Sequence, residues 1–177
     1  TLDVLYGLPD RFELVSLSAG RNVELLCKQV ARFRPRRVCI AEYSVEIANR
    51  LKALGVEVAS GADGIVELAT DPDVDLVVNG LVAGLGLRPT VAAIRAGKDV
   101  AIANKETLVV AGQIVTELAA DHGTQLIPLD SELTPLWQTL VDIPVSDVRR
   151  IILPASGGPF FDMSYEDMSS VTPEEAL

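Results

Sequence analysis

The chain has 177 residues, 49% of them hydrophobic, which is enough to bury the core of one domain or of one domain and part of another. Its formal net charge of -10 comes with no basic block, so nucleic acid and anionic membranes are poor partners. No apolar run reaches the length of a membrane span. Cys27 and Cys39, the only cysteines, have no metal-binding spacing, so we expect free thiols in a cytoplasmic protein.

Apolar periodicity alternates between the strand and the helix pattern along the chain, which is typical of βαβ units. In chain order, the pattern predicts strand 12–19, helix 22–33, strand 37–41, helix 44–54, strand 56–59, helix 62–70, strand 74–79, helix 89–96, strand 99–103, helix 105–121, strand 124–130, a short helix through 137–141 and strand 148–155. The strands are apolar almost throughout, as in a sheet covered on both faces. We therefore predict an α/β fold with a doubly wound, mostly parallel sheet.

The two ends of the chain do not have the pattern of natural termini. The first residue is Thr1 and not Met, and the last six, TPEEAL, have the pattern that opens a capped helix. We therefore expect both ends to be cut from a longer sequence. A turn-like stretch at 142–146 is one candidate for a domain boundary.

Ligands of a doubly wound sheet bind at the carboxyl ends of its strands, so the loops that follow the strands are candidate sites. Gly20, Arg21 and Asn22 follow the first predicted strand. An Arg at this position accommodates the additional phosphate of NADP, whereas an acidic residue binds the ribose of NAD. The alternative is a glycine turn with a solvated Arg21 and with Asn22 capping the next helix.

Asn104, Lys105 and Glu106 lie between a buried strand and a long helix. A cap by Asn104 would bring its side chain, unbonded backbone N–H groups and the Lys105 ammonium to one edge, which suits an anion or a carbonyl. The alternative is a cap and an ordinary charged first turn, although Lys105 would there face the positive end of the helix. Gly84 and Gly86 form a glycine turn in an earlier loop, which is weak support for a ligand.

Asp130, Ser131 and Glu132 follow another predicted strand. In an extended segment, residues two apart point to the same side, so both carboxylates can face one point. Two such carboxylates repel each other unless a cation or a proton lies between them, and oxygen ligands suit Mg²⁺ or Mn²⁺. The alternative is a helix cap by Asp130 or Ser131, with Glu132 in the first turn.

Ser156, Gly157 and Gly158 follow the last predicted strand. They could place a hydroxyl and N–H groups around a phosphate, or they could form an ordinary tight turn. His122, the only histidine, is expected at a surface helix end without a role, so a Ser/His/Asp triad is not supported.

Taken in their order, these loops resemble the 1-deoxy-D-xylulose 5-phosphate reductoisomerase family. The stretches that carry the resemblance are TLDV at 1–4, PDRF at 9–12, AGRNVEL at 19–25, PT at 89–90 with AIRAGK at 93–98, ANKETLV at 103–109, DSE at 130–132 and ASGGPF at 155–160. Each motif alone is weak, since ANK also resembles homoserine dehydrogenases. The ordered set is specific and covers essentially the whole chain.

The resemblance implies an enzyme that rearranges 1-deoxy-D-xylulose 5-phosphate and reduces the resulting aldehyde with NADPH, giving 2-C-methyl-D-erythritol 4-phosphate for isoprenoid synthesis. It implies a Rossmann-like NADPH-binding domain at 1–130, the beginning of a catalytic domain at 131–177, and a homodimer when the protein is complete. The residues implied to contact NADPH are Gly20, Arg21, Asn22, Asn104 and Glu106. Those implied to contact substrate are Lys105, Ser131, Glu132 and Ser156, and those implied to hold Mg²⁺ or Mn²⁺ are Asp130 and Glu132.

The chain departs from the family pattern in several places. Leu133 stands where the family usually has His, and the family's glycine-rich cofactor turn and third metal carboxylate do not occur in these 177 residues. Two alternatives are another NADP-dependent oxidoreductase of the homoserine dehydrogenase type and a non-catalytic α/β binding module. The paired carboxylates and the phosphate turn would distinguish the reductoisomerase from a simple dehydrogenase. Metal-dependent ligand binding would distinguish it from the module.

Overall fold

The computed structural model describes residues 1–153 and 158–176, and the chain divides into two compact units. Unit 1 comprises Thr1–Leu129 and unit 2 comprises Asp130–Leu177. The strands of unit 1 are β1 (Ser16–Ala19), β2 (Arg37–Ile40), β3 (Glu57–Ser60), β4 (Leu76–Asn79), β5 (Asp99–Ile102) and β6 (Leu126–Pro128). Its helices are α1 (Leu2–Gly7), α2 (Val23–Phe33), α3 (Val45–Lys52), α4 (Gly61–Ala69), α5 (Leu87–Arg95) and α6 (Glu106–His122). None of the helices in these two ranges is long and apolar enough to cross a membrane.

The six strands of unit 1 form two parallel sheets of three strands each, with the orders β1-β2-β3 and β4-β5-β6. Ser16 lies opposite Arg37 in the first sheet, and Leu76 lies opposite Asp99 in the second. The predicted α/β fold with parallel strands is confirmed. Among the described residues, β1 and β4 are each paired on one side only. The same holds for β3 and β6, so only the middle strands β2 and β5 are paired on both sides.

The interior of unit 1 consists of two apolar clusters, one against each sheet. The first, with α2 and α3, contains Leu26, Val30, Val38, Ile40, Leu51 and Val56. The second, with α5 and α6, contains Ala69, Ala93, Ile94, Val100, Ile102, Val115 and Ala119. Helix α4 contacts the first sheet and also packs on α5, so it connects the two halves.

Cys39 lies in the middle strand of the first sheet and is 1% exposed. A Cβ atom at Gly64 would lie 3.0 Å from its Sγ atom and 3.0 Å from the Cβ of Ala59, so glycine lets α4 approach the sheet closely. Burial raises the pKa of the Cys39 thiol to about 11, with a smaller contribution from the charge of Glu67. Cys27 and Cys39 are both free thiols, as predicted.

Helices α2 and α3 carry local capping interactions, including the cap by Asn22 that the sequence suggested. Asn22 Oδ1 accepts a hydrogen bond of 3.0 Å from the Leu25 N–H at the start of α2. Ser44 Oγ accepts one of 3.5 Å from the Ile47 N–H at the start of α3. Gly55, which follows that helix, has a φ of +84°, in the left-handed region that favours glycine. Local capping chemistry was therefore a reliable guide to the element boundaries in this part of the chain.

Three predicted strands differ from the structure, and one of them, predicted at 124–130, is regular only over Leu126–Pro128. The strand predicted at 12–19 is regular only over Ser16–Ala19, and residues 148–153, the described part of the strand predicted at 148–155, are irregular. A strand is stabilised by hydrogen bonds to a partner, and the described part of unit 2 contains no other strand that could supply them. The prediction of a strand at 148–153 is wrong for that reason.

The described residues of unit 2 contain one α-helix, α7 (Leu133–Leu140), which begins four residues before the helix predicted through 137–141. Its other described elements are 3₁₀ helices at Val145–Asp147, Gly158–Phe160, Asp167–Ser170 and Pro173–Ala176. At the last of these, Glu175 Oε2 accepts a hydrogen bond of 2.8 Å from the Thr172 N–H, which is the predicted capping interaction. None of the described residues of unit 2 is buried.

Candidate functional site

The loop between β1 and α2 is exposed along its whole length, from Gly20 through Arg21 to Asn22. A Cβ atom at Gly20 would meet nothing within 4 Å, and its φ lies outside the left-handed region, so the protein itself gives no steric reason for glycine there. Among the described residues, Arg21 forms no ion pair with a carboxylate, so its charge is available to an anion. Asn22 caps α2, as the structural alternative predicted.

The opposite, amino-terminal edge of the first sheet carries arginines that are already neutralised. Arg37 lies 3.0 Å from a carboxylate oxygen of Glu57 and 3.4 Å from one of Asp71. Arg36 pairs with Asp73, whose hydrogen bond and charge raise the pKa of the Arg36 guanidinium. Arg21, in contrast, lies at the carboxyl edge, where ligands of parallel sheets bind, and forms no such pair among the described residues.

The carboxyl ends of β4 and β5 are joined by the buried side chains of Asn79 and Asn104, which are 4% and 2% exposed. Asn79 Nδ2 donates to the Gly86 carbonyl at 3.0 Å and to Thr90 Oγ1 at 2.7 Å. Asn104 Oδ1 accepts hydrogen bonds from the backbone N–H of Thr107, at 3.2 Å, and from its hydroxyl. The predicted cap of α6 by Asn104 is therefore present, and it is part of a larger polar network.

Both amides also bind the segment that follows β4. Asn79 Oδ1 accepts from the Leu81 N–H at 3.1 Å. Asn104 Nδ2 donates to the carbonyls of Leu81, at 2.6 Å, and Ala83, at 2.9 Å. Because the polar atoms of the Asn104 side chain are engaged inside the protein, a direct contact of this side chain with NADPH would require one of these bonds to break. That contact stays a prediction.

Two residues of this segment have unusual backbone requirements. Ala83 has a φ of +50°, which costs free energy for a residue with a Cβ atom and persists only where the surroundings impose it. A Cβ atom at Gly86 would lie 2.5 Å from Asn104 Oδ1 and 2.8 Å from Asn79 Nδ2. Glycine at 86 is therefore required by the close approach of the two amides, not by a ligand.

Lys105 and Glu106 are exposed at the start of α6, beside this network. The backbone N–H groups of Leu108 and Val109 both bond to the Lys105 carbonyl at 3.0 Å, so the backbone of Lys105 is held by the first helical turn. The structure thus brings the predicted residues Asn104, Lys105 and Glu106 to the carboxyl edge of β5, as expected. Their contacts with NADPH and substrate stay predictions.

Asp130, Ser131 and Glu132 form a turn that leads into α7, and not the extended strand end predicted from the sequence. Asp130 Oδ1 accepts hydrogen bonds from the N–H groups of Glu132, at 3.1 Å, and Leu133. The short side chain of Asp130 thereby caps the helix, which bends the chain away from the strand conformation. The structural alternative for this segment is therefore present in the molecule.

The cap does not exclude the metal role of the same residues. An ionised carboxylate has two oxygens and about four lone-pair directions, so Asp130 can cap with Oδ1 and still bind a cation. Glu132 places its Oε2 atom in a buried position. In the described residues, no group of three or more His, Cys, Asp or Glu side chains forms a complete metal site. Asp130 and Glu132 therefore fit two oxygen ligands of a hard divalent ion that needs further ligands.

The remaining predictions concern the phosphate turn at 156–158 and His122. Ser156 and Gly157 lie outside the described residues, whereas Gly158, at the end of the predicted phosphate turn, has a φ of +55°. His122 Nδ1 lies 2.9 Å from the Leu118 carbonyl at the exposed end of α6, which agrees with its prediction as a surface helix end.

Asn79, Thr90 and Thr107 were not predicted as site residues from the sequence. A signal was present, because asparagine is unfavourable in strands and Asn79 ends an otherwise apolar one. Its partners could not be read from the sequence, since Thr90 and Gly86 reach it only through the packing of α5 on β4.

Comparisons with known proteins agree on one family. A family model described as 1-deoxy-D-xylulose 5-phosphate reductoisomerase matches residues 1–112, and the model of the C-terminal domain of the same enzyme matches residues 126–177. The reductoisomerase of Geotalea uraniireducens is 43% identical over 179 residues, which cover 100% of this chain and 46% of the relative. That of Chlorobium chlorochromatii is 47% identical over 179 residues, which cover 100% of this chain and 47% of the relative.

Solved structures give the same result. The reductoisomerase from Zymomonas mobilis in complex with NADPH is 40% identical, with a TM-score of 0.81 over 99% of this chain and 47% of the other. A reductoisomerase in complex with NADPH, fosmidomycin and magnesium is 31% identical, with a TM-score of 0.81 over 99% of this chain and 46% of the other. The chain thus spans about half the length of the relatives that it matches. It belongs to the 1-deoxy-D-xylulose 5-phosphate reductoisomerase family, and the homoserine dehydrogenase alternative is set aside.

Proposed function

We propose that this chain contributes to the NADPH- and metal-dependent conversion of 1-deoxy-D-xylulose 5-phosphate to 2-C-methyl-D-erythritol 4-phosphate. The observation that carries the proposal is that solved reductoisomerases matching 99% of the chain hold NADPH and magnesium. Because the chain spans about half the length of those relatives, binding by this chain and turnover are separate questions. Unit 1 is proposed as the NADPH-binding part, and unit 2 as the beginning of the catalytic part.

The loop after β1 fits the phosphorylated end of NADPH. The open position at Gly20 lets a ligand approach the backbone, and the uncompensated guanidinium of Arg21 suits the 2′-phosphate. Asn22 starts α2, an 11-residue helix whose positive end favours an anion. NADPH, when bound, supplies the hydride that reduces the aldehyde. Glu106 would contact the same cofactor from the start of α6.

The turn before α7 fits a hard divalent cation that prefers oxygen ligands. Asp130 and Glu132 would hold Mg²⁺ or Mn²⁺ through carboxylate oxygens, together with ligands from elsewhere. The ion, when bound, acts as a Lewis acid on neighbouring carbonyl and hydroxyl oxygens of the substrate. Asp130 keeps the turn in place by capping the helix, so one residue serves both the local fold and the binding of the ion.

Three further residues are proposed to bind substrate. The Lys105 ammonium, at the start of α6, would attract an anionic or carbonyl oxygen. Ser131 is exposed in the turn between Asp130 and Glu132. Ser156 would bind the substrate phosphate through its hydroxyl. The homodimer that the family resemblance implies and the cytoplasmic location expected from the sequence are also proposals, and a native mass measurement tests the first.

The proposed function is tested first by titrating the 177-residue chain with NADPH and, separately, with Mn²⁺. Saturable binding of both is expected. The absorbance of NADPH is then followed after addition of 1-deoxy-D-xylulose 5-phosphate and Mn²⁺, with EDTA as the control. Oxidation that EDTA stops would establish turnover by this chain.

The outcomes of these titrations separate the remaining alternatives. Binding without oxidation would favour a binding module, or a chain that needs the rest of the family's length, and adding that length distinguishes the two. If the chain binds neither NADPH nor Mn²⁺, the proposal for this chain is contradicted. Arg21→Asp should weaken NADPH binding in these titrations. Its control is Arg11→Asp, which changes the net charge equally at an exposed residue outside the loop.

A further inference from the structure

Asn79 and Asn104 bind the backbone of the segment 81–86 from its inner side. Four side-chain hydrogen bonds end on that backbone, at the Leu81 N–H and at the carbonyls of Leu81, Ala83 and Gly86. The two amides therefore fix both ends and the middle of one short segment. The strained φ of +50° at Ala83 lies at the point where Asn104 donates, which indicates that the amide imposes this conformation.

The outer side of the same segment is open. Val82 and Leu85 are 72% and 62% exposed. A Cβ atom at Gly84 would meet nothing within 4 Å, and its φ is not left-handed, so the protein does not require glycine there. A segment held rigidly from inside and left accessible outside is a preorganised contact surface, because its ordering entropy is lost before a ligand binds.

We propose that Asn79 and Asn104 are positioning residues, which hold segment 81–86 in the one backbone conformation that NADPH meets at the carboxyl edge of β4. This rests on the proposed function, since it assigns the segment a role in binding the cofactor. It also changes the role of Asn104, which acts on the cofactor through the segment and not by direct contact of its side chain. The effect is on the half of NADPH away from the 2′-phosphate, because Arg21 serves that end.

Two substitutions release the segment in different ways. Asn104→Asp keeps an oxygen that can cap α6 at Thr107, but it removes both hydrogens donated to the carbonyls of Leu81 and Ala83. Gly86→Ala leaves both amides unchanged and forces them apart with a Cβ atom 2.5 Å from Asn104 Oδ1. Ser44→Ala is the matched control, because it removes a cap from α3 and touches neither amide.

The experiment compares these variants with the wild-type chain by amide hydrogen exchange, followed residue by residue with NMR. In Asn104→Asp and Gly86→Ala, we expect the hydrogen-bonded N–H groups of Leu81 and Leu85 to exchange at least about tenfold faster, whereas those of β5 stay protected. The same variants are titrated with NADPH and with 2′,5′-ADP, which carries only the adenosine half. NADPH affinity should fall about tenfold or more, and 2′,5′-ADP affinity should change less than about twofold. Ser44→Ala should change none of these quantities.

Unchanged exchange of the Leu81 and Leu85 N–H groups in Asn104→Asp would overturn the proposal. Equal weakening of both ligands, with loss of protection in β5, would also overturn it, because this is the pattern of a general structural role. If the wild-type chain binds neither ligand, the proposed function fails for this chain. The cofactor part of the inference then fails too, whereas the exchange data still decide whether the amides hold the segment.

Discussion

The two units of this chain differ in how closely their secondary structure agrees with the prediction from the sequence. Among the residues whose burial is described, all those with fully buried side chains lie in unit 1, where strands and helices occur close to the predicted positions. Unit 2 buries none of its described residues, and its predicted strand at 148–153 is irregular. The contrast teaches that apolar pattern alone does not produce a strand. Ile151, Ile152 and Leu153 have the composition of a strand, but no described strand pairs with them.

The largest effect on stability is expected for a buried residue of unit 1, compared with an exposed one of unit 2. Ile94→Ala, at a fully buried position in α5, should lower the free energy of unfolding by about 2–5 kcal/mol through lost burial and the cavity left behind. The matched change Ile152→Ala, at a residue that is 69% exposed, should cost less than about 0.5 kcal/mol. Chemical denaturation of both variants measures the difference, and equal losses would show that the segment around Ile152 belongs to a core.

A smaller effect is expected in unit 2, at the turn formed by Asp130, Ser131 and Glu132. Asp130→Asn should keep the cap of α7, because asparagine caps nearly as well as aspartate, but it should weaken Mn²⁺ binding by about tenfold or more. Asp130→Ala should lose the ion and also about 1 kcal/mol of helix stability. Calorimetric titration with Mn²⁺ and circular dichroism check the two parts. Unchanged Mn²⁺ affinity in Asp130→Asn would remove this residue from the metal site.

In unit 1, a change at Arg21 should weaken ligand binding without affecting folding. Arg21→Asp should raise the Kd for NADPH by about 10–100-fold, since a charge-assisted contact contributes about 1.5–3 kcal/mol. The Kd for NADH, which lacks the 2′-phosphate, should change much less. Fluorescence titration with the two cofactors provides the test, with Arg11→Asp as the charge control. Parallel weakening of NADPH and NADH would instead indicate a general loss of the loop conformation.

The smallest effect concerns the buried thiol of Cys39. Its pKa is raised to about 11 in the folded state, so the thiol stays neutral where the unfolded chain already ionises. The contribution to stability is complete below the unfolded pKa and is lost as the pH rises from about 9 to 11. Stability measured across this range should fall less steeply in Cys39→Ala than in the wild type. Parallel curves would show that the Cys39 thiol does not report on folding in this range.

The fold of unit 1 could be predicted from the sequence because its signals are local. Helix α2 begins after Asn22 and helix α3 after Ser44, and each cap is made to a residue three positions along the chain. The alternation of short apolar strands with amphipathic helices indicated parallel pairing, since such strands need a crossover. Part of the candidate site followed from the same logic, because Arg21 and Lys105 come directly after strands and therefore lie at the carboxyl edge.

The remaining features of the site depend on partners that are distant in sequence. Asn79 was visible only as the polar end of a strand, and its role required Asn104, Gly86 and Thr90 to be brought beside it. The conformation of 130–132 was misjudged because the capping preference of Asp130 prevailed over continuation of the strand.

The sequence by itself determined the order of the elements, the helix caps and the membership of the family, because these depend on neighbouring residues and on motifs in fixed order. Only the tertiary structure decided that the strands divide into two sheets, that residues 148–153 remain irregular and that two asparagines hold segment 81–86. The physical reason is that strand pairing and buried hydrogen bonds are satisfied by whichever groups meet in space. Periodicity and capping, in contrast, act within one or two turns of the chain.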